Sequence, residues 1–202
     1  MDSIKISTLT DPDSDEVIEL LARAYLSNPI NVAALGGSGE EELKLSREFF
    51  RAGCEIVVRS EWYAALFENR TVGVVHIVKS PGCRLSPDQQ DAINPRLAEL
   101  GSDVASRIAE WLGEWAKRDP DTDHYHLGPI AVLPEFQRRG IGKLMMQHFC
   151  ERVDEAGTPA YLETDRRENV GFYEKSGFSV TEQAVILGVP NWFMTRPAHA
   201  AT

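Results

Sequence analysis

The chain has 202 residues, of which 43% are hydrophobic and 26% charged, and its net charge is −10 at neutral pH. That length and balance describe one folded domain, residues 1–202, with a full core, and exclude a disordered chain. The negative charge weighs against nonspecific binding to nucleic acid, whose phosphates it would repel, and favours the approach of a cationic substrate.

The three cysteines, Cys54, Cys83 and Cys150, are odd in number and scattered. They suggest neither a disulfide framework nor metal-ligand spacing, so a reducing, cytoplasmic setting and no metal are expected. The N-terminal MDSIKISTLTDPDSDE holds no apolar core of signal-peptide length, and no apolar run approaches a membrane span, so no membrane partner is expected. Ile4 to Leu9 alternates like a half-buried strand. From Glu16, apolar residues at Val17, Ile18, Leu20, Leu21, Ala24 and Tyr25 predict a helix that stops near Asn28-Pro29. The stretch NVAALGGSG reads as a loop, and Glu40 to about Gly53 as a second helix.

Trp62 to Phe67 and Thr71 to Val78 read as a hairpin turning at Glu68-Asn69-Arg70, followed by a loop over Ser80 to Pro87. Asp88 to Lys117 is a helical insertion, its apolar stripe running from Leu97 to Trp115, with a break expected near Asn94-Pro95. The second half alternates regularly. A strand from His124 to Leu133 precedes a helix from Ile141 to Glu155, a strand from Ala160 to Glu163 and a short helix from Asn169 to Lys175. Strands near Phe178 to Leu187 and Asn191 to Thr195 close the chain. This order predicts an α/β domain.

Two anomalies carry chemistry. Gln137-Arg138-Arg139-Gly140-Ile141-Gly142-Lys143 places two glycines and three cations at a helix start. It is not a P-loop, because Gln137 stands where that loop needs glycine and Leu144 where it needs Ser or Thr. It also lacks the third glycine of a dinucleotide turn. A pyrophosphate held by the free amides of the first helical turn fits, as does an ordinary helix start with solvated cations. The second anomaly is Gly128-Pro129 inside the apolar strand LGPIAVL. Proline cannot donate to a ladder, so a bulge or a splayed strand is implied. Backbone groups left unpaired there suit an extended ligand that carries amides, as the pantetheine arm of coenzyme A does.

The unit IAVLPEFQRRGIGKLMMQHF resembles the acetyl-CoA motif of the GCN5-related N-acetyltransferase (GNAT) superfamily, and YLETDRRENVGFYEKSGFSV resembles its next conserved unit. PAYLET, NVGFYEKSGFSVT and NWFMTRP are similar to parts of the puromycin N-acetyltransferases. The resemblance covers roughly the last 75 residues. It implies the GNAT fold, a mixed, mostly antiparallel twisted sheet splayed between its fourth and fifth strands. It also implies acetyl-CoA as cosubstrate and transfer of acetyl to an amine. A small-molecule primary amine, of the puromycin type or another toxic compound, is the expected acceptor. Protein or peptide amines are the alternative within the enzyme class, and a non-catalytic acyl-CoA-binding regulator is the alternative outside it. A homodimer through the C-terminal strands is expected.

The same resemblance assigns residues. Backbone groups of Ile130, Ala131 and Val132 would meet pantetheine and the acetyl oxygen. Gln137, Arg138, Arg139, Gly140, Ile141, Gly142 and Lys143 would take the pyrophosphate, and the helix behind them would bury Ile141, Leu144, Met145, Phe149 and Val153. Tyr173 would protonate the leaving thiolate, a task suited to a phenol that keeps its proton at neutral pH. Asn169, one helical turn earlier, would contact the pantetheine arm or cap the helix. Arg166 stands where many members carry asparagine. For the base that accepts the amine proton the order is Glu163, then His126, then His124.

Overall fold

The computed structural model describes residues 4–37, 39–56 and 60–198. In chain order they form β1 (Lys5–Thr8), α1 (Asp15–Tyr25), α2 (Pro29–Leu35), α3 (Glu40–Ile56), β2 (Glu61–Phe67), β3 (Arg70–Lys79), α4 (Pro87–Ala98) and α5 (Ser102–Ala116). After these come β4 (Tyr125–Val132), a 3-10 turn (Pro134–Phe136), α6 (Ile141–Glu155), β5 (Ala160–Thr164), α7 (Arg167–Glu174), β6 (Ser179–Ile186) and β7 (Val189–Arg196).

The strands make one sheet in the order β1-β2-β3-β4-β5-β7-β6. Every neighbouring pair is antiparallel except β4 and β5, which are parallel. That parallel pair holds only at Tyr125↔Ala160 and His126↔Tyr161; beyond it the two strands part. The expected mixed, mostly antiparallel sheet with a splay between strands four and five is therefore the one observed.

Side-chain alternation sorts the core onto two faces. Val75, Ile77, Leu127, Leu162 and Met194 pack under α6 and α7 with Met145, Phe149, Val153 and Val170. On the opposite face, Val74 and Ala131 meet α1 and α3 through Val17, Leu21 and Phe50, while Tyr161 and Phe193 meet α2, α4 and α5 through Ile30, Leu97, Ile108 and Trp111. The tryptophan stripe of the insertion is core: Trp111 is buried and stacks on Phe49 at 5.4 Å.

Three sequence expectations need correction. The segment read as a loop after Pro29 begins with α2. Proline at the first helical position loses no bond, and Ile30, Ala34 and Leu35 bury an apolar face; only Gly36, at φ 67°, ends the helix. Pro95 does not break the insertion. It lies inside α4, where burial of Ile93 and Leu97 outweighs the roughly 3 kcal/mol that an internal proline costs. The break falls at Gly101, whose φ of 106° suits glycine. On α6, Leu144 is 41% exposed and Met146 takes the inward place beside Met145.

Candidate active site

The Gly128-Pro129 pair is a bulge. Val75 pairs with Ile130 and Ile77 with Leu127, so two residues of β4 oppose the single residue His76. The His76 ring fills the space. A Cβ added at Gly128 would come 2.5 Å from its Nδ1. The other side of the ring stacks on Trp62, with centroids 4.1 Å apart and planes at 12°. Burial, with His126 nearby, pushes His76 down to about 3, so it is neutral.

Beyond the bulge, strand alternation turns the backbone of Ile130 toward the gap between β4 and β5. The groups of Ala131 face the other way, its carbonyl lying 2.9 Å from where a Cβ on Gly73 would stand. Ala131 therefore leaves the set of expected ligand contacts, and Ile130 and Val132 remain. The Ile130 groups are engaged by a residue the sequence did not single out. The Ile130 N–H donates to the Tyr25 oxygen at 3.2 Å, and the Tyr25 hydroxyl lies 3.4 Å from the Ile130 carbonyl. Val132 O accepts from Gln137 Nε2 at 3.1 Å.

Next comes the start of α6. Its first intrahelical bond runs from the Leu144 N–H to Gly140 O, so the amides of Ile141, Gly142 and Lys143 have no acceptor within the helix. Gly140 is left-handed at φ 82°, and Arg138 adopts φ 62°, an uncommon state for a non-glycine residue. At Gly142 the protein itself does not demand glycine, because an added Cβ would meet only Phe172, at 4.0 Å. Bare backbone here suits the close approach of an anion. Arg138, Arg139 and Lys143 are exposed beside it, and the Arg139 guanidinium stacks over Phe136 at 5.0 Å.

Tyr173 closes the wedge from α7. It is buried, with Phe172 at 5.2 Å and Phe178 at 6.3 Å, and its hydroxyl has no hydrogen-bond partner among the described residues. Burial pushes its phenol up, and Tyr25 and Asp165 add to the shift. Asn169 is not the helix cap. Arg166 occupies that position, and Asn169 sits at the third helical residue, one turn before Tyr173. Arg166, the departure from the family's asparagine, bonds Ser27 through its carbonyl and hydroxyl oxygens. Asp165 beside it accepts from Asn28 Nδ2 at 3.0 Å and the Ile30 N–H at 2.6 Å. These bonds hold the α1–α2 corner, and Tyr25 with it, over the end of β5.

The three base candidates form one connected group. His126 Nε2 lies 2.8 Å from Glu163 Oε2, and the Glu163 side chain is 3% exposed. His126 Nδ1 and His124 Nε2 lie 3.3 Å and 3.1 Å from Asp119 Oδ1. Cys83 Sγ is 3.4 Å from Asp119 Oδ2 and 3.5 Å from His124 Nε2. Burial opposes charge on His124, yet Asp119, Cys83 and the Thr122 carbonyl outweigh it and raise the group to about 10. His126 is raised too, by Glu163 and Asp119 against the same burial. His124 faces Thr122, Asp119 and Cys83 with its two nitrogens, so it offers nothing to a substrate amine. Asp119 and Cys83 were not foreseen as members.

Comparison with known proteins agrees with this layout. The profile of the "Acetyltransferase (GNAT) family" matches residues 35–178. The peptidyl-lysine N-acetyltransferase YjaB of Salmonella typhimurium (strain LT2) is 26% identical over 106 residues, covering 50% of this chain and 72% of that one. A Bacillus subtilis (strain 168) protein named as an acetyltransferase is 29% identical over 73 residues, 36% of this chain; the match spans 50% of its length. Among solved structures, one described as histone acetyltransferase HPA2 and related acetyltransferase, from Corynebacterium glutamicum, superposes with a TM-score of 0.74 at 20% identity over 99% of both chains. An agmatine N-acetyltransferase gives 0.63 at 14% identity over 96% of this chain and 99% of that one. With a family profile matched over residues 35–178 and the splayed mixed sheet in place, the chain belongs to the GNAT family of acetyltransferases.

Proposed function

We infer that the chain transfers acetyl from acetyl-CoA directly to the primary amine of a small molecule. The observation that carries this reading is the gap where β4 leaves β5, bordered by the α6 amides that have no acceptor within the helix and by Tyr173, whose ring is buried. The amides and cations from Arg138 to Lys143 take the pyrophosphate. The backbone of Ile130 and Val132, with Asn169, holds the pantetheine arm and the acetyl oxygen. The amine nitrogen attacks the thioester carbon, the C–S bond breaks, and Tyr173 gives its proton to the departing sulfur. Glu163 accepts the amine's proton through water, and His126 orients it through the 2.8 Å bond. The insertion helices α4 and α5 wall the acceptor side. A reducing, cytoplasmic setting and a homodimer through β6, the outer strand of the sheet, complete the reading; a monomeric mass by light scattering refutes the dimer.

The Salmonella relative, by its name an enzyme of peptidyl lysine, favours a second reading in which a protein or peptide lysine is the acceptor. Thiol release from acetyl-CoA across a panel of puromycin, agmatine, other small amines and lysine peptides separates the two. Transfer to a small amine is expected. A lysine peptide turned over at least about tenfold faster than every small amine overturns the small-molecule reading. Tight acetyl-CoA binding without transfer to any member leaves a regulatory module and overturns both.

A further inference from the structure

Cys83, Asp119, His124 and His126 converge from three parts of the chain, and their donor atoms lie within 4.8 Å of one another. Cys83 comes from the loop after β3, Asp119 from the exit of α5, and the histidines from the start of β4. Acetyl transfer uses none of the facing atoms. His124 Nδ1 lies 2.7 Å from the Thr122 carbonyl, which can only accept, so that nitrogen carries the proton and Nε2 presents its lone pair to Asp119 and Cys83. By the same logic the Glu163 carboxylate takes the proton of His126 Nε2, and Nδ1 turns its lone pair toward Asp119. With the rings neutral, their lone pairs face the Asp119 carboxylate inside the protein, and a cation between them relieves that repulsion. Two extra ring protons are the other remedy. Yet His126 Nδ1 stands 3.3 Å from Asp119 Oδ1 without forming a hydrogen bond to it, so a proton there would be held only through a long contact.

We propose that Cys83 Sγ, Asp119 Oδ1, His124 Nε2 and His126 Nδ1 form a closed, tetrahedral structural site for a zinc ion. Ligands about 2.0–2.3 Å from zinc stand about 3.3–3.8 Å apart; of the separations among these donors, 3.3 and 3.5 Å fall in that range and 3.1 Å lies just below it. One thiolate, two imidazoles and one carboxylate suit zinc better than magnesium or calcium, which take oxygen ligands. The outer contacts are those of a metal site. Each histidine gives its second nitrogen to an oxygen acceptor, and Arg84 Nε holds Asp119 Oδ2 at 2.8 Å, leaving Oδ1 for the ion. The Asp119 and His124 side chains are 4% and 2% exposed, and the four protein donors fill a tetrahedral shell. The ion ties both ends of the α4–α5 insertion to β4, and closing so long a loop favours the folded chain. The site stands or falls apart from the identity of the acceptor amine.

Untagged full-length protein incubated with Zn2+ and desalted tests this by elemental analysis. About one zinc per chain is expected, with loss in Cys83→Ser and His124→Ala and retention in Cys54→Ser and Cys150→Ser. Chelator treatment of the wild type lowers Tm by at least about 5 °C. Should the cluster variants fail to fold, Co2+ reconstitution of the wild type carries the test, through intense tetrahedral ligand-field bands and a thiolate charge-transfer band. Less than about 0.1 zinc per chain, or a Co2+ spectrum without thiolate character, overturns the proposal.

Discussion

Gly128→Ala tests why the fourth strand carries its Gly-Pro pair. The new methyl carbon would stand 2.5 Å from His76 Nδ1, 3.0 Å from Cγ and 3.1 Å from Cβ. The ring cannot retreat, because Trp62 stacks on its other face at 4.1 Å. Either the ring leaves its stack or β4 moves away from β3, and β4 forms one wall of the gap proposed for the cosubstrate. Overpacking of this kind costs about 1–3 kcal/mol, which in a chain of this length lowers Tm by about 2–12 °C. The assay is a double-mutant cycle read by urea unfolding. In a His76→Ala background the methyl has room, and its cost falls below about 0.5 kcal/mol. An equal cost in both backgrounds refutes the reasoning, since the glycine would then answer to something other than the His76 ring.

Tyr173→Phe removes the proposed proton donor and keeps the packing against Phe178, so steady-state kinetics show kcat at least about tenfold lower with acetyl-CoA binding little changed; unchanged turnover removes the role. Tyr25→Phe frees the Ile130 N–H, which calorimetry reads as acetyl-CoA binding tighter by about fivefold, one hydrogen bond's worth; weaker binding makes Tyr25 a ligand contact instead. His76 sits at about 3 when folded against an ordinary 6.5, so the unfolded chain takes the proton first and stability falls as pH drops from 6.5 toward 3. Between pH 7 and pH 5 that loss is about 2 kcal/mol, and it disappears from the denaturation curves of His76→Phe. Arg196→Met removes two bonds to Asp154, at 2.6 and 2.8 Å, and one to Ser176 O, at 2.9 Å. Asp154 is 39% exposed, so the cost is discounted to about 2 kcal/mol and a Tm fall of about 4–8 °C by calorimetry.

What the sequence made legible follows the range over which each feature is decided. The limits of α6, Ile141 to Glu155, were readable because Gly140 must turn left-handed immediately before it. Tyr173 and the amide-rich loop were readable because each sits within one short strand–turn–helix or helix–strand unit. The bulge was readable because proline cannot donate, but its cause was not, since His76 reaches Gly128 from another strand. The sequence hides α2 behind the glycines that follow it, and hides the continuity of α4 behind Pro95, because burial of Ile30, Ile93 and Leu97 by distant helices decides both. Leu144 and Met146 exchanged places for a similar reason: both fit an apolar stripe, and the surface α6 meets selects between them. Tyr25 lies 105 residues from the strand it engages, and Asp165 lies 137 from Asn28. Cys83 and Asp119, 36 residues apart, meet only because α4 and α5 fold back as a pair. The groups proposed to hold the cofactor are thus local, and those proposed to wall, orient or brace the acceptor side are long-range. That division accounts for why the sequence announces an acetyl-CoA enzyme and stays silent on its amine.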